Sequence, residues 1–158
     1  MATTVALDFR IIGPGSADLE LKVGNEIFVA SGISYTSDAV GDLLRSAIMI
    51  ATGSDRATVS LDREPAEWRI QLISMLDTDT GLGPVQIRIF EFDDFYAKRP
   101  DTEGNQVFLA DCGALDFASA VLIMVKGIRD HFEKFGLELQ HFPSAALQVL
   151  EGALAVER

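Results

Sequence analysis

The uncharged run from Phe117 to Val125 (Phe-Ala-Ser-Ala-Val-Leu-Ile-Met-Val) leads into Ile128, Phe132 and Phe135 at helical spacing. That pattern predicts a helix from about Ala114 to Phe135, buried nearly all round at its start and amphipathic toward its end, with Gly136 as its stop. The run is well short of the ~20 residues that a membrane span needs, so its apolar surface has to be covered by other parts of the chain. The rest of the sequence supplies strands to do this.

From Val5 to Ile11 the apolar residues Val5, Leu7, Phe9 and Ile11 fall at alternate positions, with Asp8 and Arg10 between the last three, the period of a half-buried strand. Gly13-Pro14-Gly15-Ser16 ends it. Leu19, Leu21 and Val23 alternate with Glu20 and Lys22, and Gly24-Asn25 then reads as a two-residue hairpin turn. Such a turn pairs Val23 with Glu26, Leu21 with Phe28 and Leu19 with Ala30, which places Phe28 on the core face.

A helix follows, with Val40, Leu43, Leu44, Ala47, Ile48 and Ala51 on one stripe and Gly53 as a left-handed stop. Gly41 inside it reads as a place where another backbone comes close. Strands are expected from Ala57 to Leu61, Trp68 to Met75, Val85 to Phe92 and Gln106 to Cys112. In the third of these the apolar phase changes after Ile89, since Phe90 and Phe92 fall out of step with Val85, Ile87 and Ile89, and a bulge near Ile89 and Phe90 would account for it. Pro143-Ser144 opens a last helix with Ala146, Leu147, Leu150 and Leu154 on one side. The connectors between consecutive strands are short, which favours an antiparallel meander. The expected architecture is α+β: residues 1–158 as a single domain, a mainly antiparallel sheet of about six strands, and two to three helices packed on one face.

Composition limits the functional classes. Thirteen basic residues stand against twenty-four acidic ones, a formal charge of −11. A field of that sign repels phosphate backbones and anionic lipid, so neither nucleic acid nor a membrane is expected as a partner, and a basic protein surface is favoured. Cys112 is the only cysteine, so neither an intrachain disulfide nor a cysteine-based zinc site can form. With no export signal at its start, the chain is expected in the cytoplasm.

The short motifs dissolve in their surroundings. Asp79-Thr80-Gly81 matches the triplet of aspartic proteases over three residues only, inside a turn-like stretch. Asp77, Asp79 and Gly81 alternate as in a calcium loop, but Arg88 stands where an EF-hand needs its closing glutamate. Gly13-Pro14-Gly15 lacks the third glycine of a dinucleotide-binding turn, and a strand follows it where a helix is needed. His131 and His141 have no metal-ligand spacing. No catalytic residue, cofactor or metal is therefore assigned. Cys112 reads as a buried core thiol.

Two acidic clusters remain: one from Asp62 to Arg69, with the carboxylates Asp62, Glu64 and Glu67, the arginines Arg63 and Arg69 and the sole tryptophan Trp68, the other from Glu91 through Phe92, Asp93, Asp94 and Phe95 to Tyr96. Aromatic residues rimmed by charge are the usual makeup of a protein interface. On that basis the expected function is a non-enzymatic interaction domain that docks a protein partner, or a second copy of itself, through Trp68, Glu91, Asp93, Asp94 and Tyr96. Its sharper form is an immunity or inhibitor protein that neutralises a basic partner. The alternative is an enzyme of small-molecule metabolism, or a ligand-binding protein, with a pocket between the sheet and the long helix.

Overall fold

The computed structural model describes residues 4–13, 16–34, 36–63, 65–75, 83–94, 99–129 and 142–156. Among these residues seven strands and three α-helices follow one another in the order β1 (Val5–Gly13), β2 (Ser16–Val23), β3 (Glu26–Ile33), α1 (Thr36–Ala51), β4 (Arg56–Arg63), β5 (Ala66–Ser74), β6 (Pro84–Phe92), β7 (Asn105–Gly113), α2 (Ala114–Arg129) and α3 (Ser144–Val156). The fold is α+β.

The strands form two antiparallel sheets, β1-β2-β3 and β4-β5-β6-β7, where the sequence suggests one sheet of about six. The break falls at α1, which interrupts the meander after β3. At this junction the backbones meet through the Ser34 N–H, which donates to the Asp62 carbonyl at 2.7 Å. Side chains do the rest: the Phe28 ring of β3 packs edge-on against Trp68 of β5 and Phe108 of β7, with centroids 6.3 and 6.2 Å away. Aromatic edge-to-face pairs of this kind add to ordinary apolar burial.

The β2–β3 hairpin has the register read from its turn, Val23 opposite Glu26, Leu21 opposite Phe28 and Leu19 opposite Ala30. Gly24 takes a positive φ of 59° in that turn, a conformation that side-chain-bearing residues rarely adopt. The core faces of both sheets meet the helices, α1 packing along β4 and α2 against β1, and the three helices touch one another. One hydrophobic core runs through all of these elements, from Phe9 to Leu154.

Three details differ from the sequence reading. Ile123 of α2 is 72% exposed and Leu122 is half-buried, so this helix is one-sided along its length, burying Phe117, Ala118, Val121, Met124, Val125 and Ile128. In α1 the stripe takes Ile50 where Ile48 is expected, Ile48 being only half-buried. The close neighbour of Gly41 is the Arg45 guanidinium of its own helix, 3.2 Å from where a Cβ would stand, and not another backbone. Gly53 does end α1, at φ 95°, with the Ser54 N–H donating to the Met49 carbonyl at 2.9 Å. Phe132, Phe135 and Gly136 lie outside the described residues.

Candidate functional site

Strand β5 has two different faces because its residues alternate. Trp68, Ile70 and Leu72 point to the core; Glu67, Arg69, Gln71 and Ile73 point away from it. An outward face on an antiparallel sheet is ordinarily wet. Here Glu67 is only 5% exposed and Gln71 only 7%, because the chain after β6 folds back over this face in a single 3₁₀ turn, Asp101–Glu103.

The reason the turn stays there is visible in the contacts. The Arg69 guanidinium donates to both oxygens of Glu67, at 3.1 and 3.2 Å, to Asp101 Oδ1 at 2.9 Å and to the Arg99 carbonyl at 2.6 Å. It also lies 4.3 Å over the centre of the Phe92 ring. Gln71 Nε2 donates to Asp101 Oδ2 at 2.7 Å, while Thr58 Oγ1 donates to Gln71 Oε1 and Ser60 Oγ to Glu67 Oε2. Burial opposes the charge of Arg69, but its hydrogen bonds and attraction to Glu67 and Asp101 outweigh that and hold its pKa above the ordinary value. Gly104 completes the closure: a Cβ there would stand 2.6 Å from Phe92 Cζ.

The apparent change of phase in β6 has the same origin. Across β5 the pairing is regular, from Ser74 with Val85 through to Glu67 with Phe92. Phe90 and Phe92 are apolar because the folded-back segment packs against them on the outer face. The expected irregularity does occur at Ile89 and Phe90, on the other side of the strand, where β7 supplies the extra residue, Val107.

Beside the polar cluster lies a groove of about 250 Å³ on the same outer face, lined by Arg56, Arg88, Gln71, Asp101, Ile73 and Phe90. Thr102 and Gln106 close its rim. Arg88 Nε donates to Gln86 Oε1 at 2.6 Å. Among the described residues, neither Arg56 nor Arg88 forms an ion pair. No feature of the local sequence marks this site. Its members come from β4, β5, β6, the 3₁₀ turn and β7, and are brought together by cross-strand register, with Thr58, Gln71, Arg88 and Leu109 standing in one row.

The residues singled out from sequence are placed as follows. Trp68 is 8% exposed and in the core, so its indole has little area to offer a partner. Glu91 stands opposite Trp68 on β5 and Asn105 on β7, and is exposed, as is Asp93. Asp94 is half-buried. Tyr96 lies outside the described residues, as do Asp77, Asp79, Thr80, Gly81, Pro14, Gly15, His131 and His141. Glu67 is bound within the cluster rather than solvated. The Cys112 thiol is buried, and burial, with Asp116 and Asp111 adding to it, pushes its pKa up to about 12. Such a thiol is inert at neutral pH.

The space between the sheets and α2 is taken up by Phe117, Val121 and Val125, all essentially without solvent contact. Among the described residues, no group of three or more His, Cys, Asp or Glu side chains is placed to hold a metal ion, and no helix is long and apolar enough to cross a membrane. No protein-family model matches this chain, and no curated protein or solved structure matches it either.

Proposed function

We propose that this protein is a non-enzymatic interaction domain that docks a basic protein at the corner where β6 ends and β7 begins, in the manner of an immunity or inhibitor protein. The observation that carries the reading is the surface at that corner. Glu91 and Asp93 are exposed there, and β7 adds Val107, which is 41% exposed. Exposed carboxylates near an exposed apolar side chain suit a partner with the opposite charge, and the overall charge of −11 would steer the encounter. The rigid support beneath this corner is the Arg69 cluster, which ties β5 to the segment after β6. A second copy of an equally acidic chain would be repelled at the same surface, so a different, basic protein is the better partner. A lone free thiol fits a cytoplasmic setting.

The test is kinetic. Association with the partner that co-purifies from the native cell would be followed at low and at physiological salt, for the native protein and for Glu91→Lys/Asp93→Lys. The expected result is slower association and a flatter salt dependence for the variant, with its melting temperature unchanged, because exposed charges act mainly on the on-rate. Identical rates and salt slopes for the two proteins would remove the acidic corner from the interface.

A further inference from the structure

The groove on the outer face of the four-stranded sheet goes beyond protein docking, because its charge is opposite to that of the molecule around it. Two guanidinium groups, Arg56 from β4 and Arg88 from β6, line one concavity. Asp101, the one carboxylate among the described lining residues, accepts hydrogen bonds from Arg69 and Gln71, but Arg69 is shared with Glu67, so its charge is offset only in part and the two lining arginines still outweigh it. Gln71 is held in turn by Thr58. The floor is thus fixed before any ligand arrives, while the two arginines keep N–H donors for one. Guanidinium donors match the oxygens of a carboxylate or phosphate in a planar, two-bond geometry.

The rest of the lining sets the ligand's other end. A volume of about 250 Å³ exceeds what a bare oxyanion fills, and Ile73 and the Phe90 side chain provide apolar wall. Thr102 and Gln106 can bond polar atoms at the rim. We infer that this groove binds a small molecule that joins an oxyanion, carboxylate or phosphate ester, to a flat or apolar body, the anion held by Arg56 and Arg88 and the body against Phe90 and Ile73. The groups that would hold this ligand, Arg56, Arg88, Phe90 and Ile73, are not those that would meet a docked protein, although both places rest on the Arg69 cluster.

The experiment is a set of equilibrium titrations followed by NMR at constant ionic strength, with phenyl phosphate, benzoate and inorganic phosphate as probes. Saturable binding of phenyl phosphate or benzoate is expected, and the tighter of the two identifies which oxyanion the site prefers. Inorganic phosphate should bind at least about ten-fold more weakly than phenyl phosphate, since it leaves the apolar wall unused. Arg56→Gln and Arg88→Gln should each lower affinity for the tighter probe about ten-fold or more, as the loss of a charge-assisted hydrogen bond does. Arg10→Gln, on the other sheet, should change nothing, and unliganded melting of all three variants reports that they fold. The inference is overturned if neither aromatic probe saturates, if inorganic phosphate binds as tightly as phenyl phosphate, or if Arg10→Gln weakens binding as much as the groove variants do.

Discussion

Arg69 shows how one residue can hold a surface segment in place. It is 14% exposed, it sits between Glu67 and Asp101, and it spans from β5 to the chain after β6. Removing it leaves a buried carboxylate without its counter-charge, a far greater cost than the pair itself was worth. Arg69→Ala is expected to destabilise the protein by about 3 kcal/mol in urea denaturation, against less than about 1 kcal/mol for Arg10→Ala, whose pairing with Asp8 is solvent-exposed. Cys112 gives a prediction of another kind. Its thiol is raised from an ordinary 9.0 to about 12, so the unfolded chain releases this proton at a lower pH than the folded one. The stability it secures is complete below about 9 and is lost as the pH climbs toward about 12. Cys112→Ala should show a shallower decline of stability over that range, while the tyrosines and lysines contribute equally to both proteins; parallel curves would mean that the thiol is not held protonated.

Among the elements, α2 offers the clearest test. Val125 faces the core and Ile123 faces solvent, so Val125→Ala is expected to cost roughly 2 kcal/mol or more and Ile123→Ala well under 1 kcal/mol, measured by chemical denaturation. The apolar run alone could not separate them, because an uninterrupted stretch of hydrophobic residues carries no period to say which side is buried. Where a period exists the sequence is explicit: the β2–β3 register follows from the alternation around Gly24-Asn25, and α3 buries Leu147, Leu150 and Leu154 as their spacing requires. The groove and the Arg69 cluster are of the opposite kind. They depend on residues 99–104 returning over a face of the sheet. Gln71 and Arg69, read along β5, are simply the polar members of an alternating strand, and only Phe90 and Phe92, apolar where the strand should be wet, hinted that something covers them.

At the scale of the whole molecule, charge and topology are separate matters. The net charge of −11 bears on solubility and on which partners approach, while the fold rests on a core shared by two sheets and three helices. In both sheets the spatial order of the strands is their order in the chain. Among the described residues every ladder joins strands consecutive in the chain, and lengthening a connection, as in residues 93–104 between β6 and β7, adds only slowly to the entropy of closure. The two sheets are joined by side chains, where Phe28 meets Trp68 and Phe108, and by the backbone bond from Ser34 to Asp62, and the helices pack against both. Strand order thus fixes each sheet within itself, while the placement of one sheet against the other depends on the aromatic and aliphatic contacts between them.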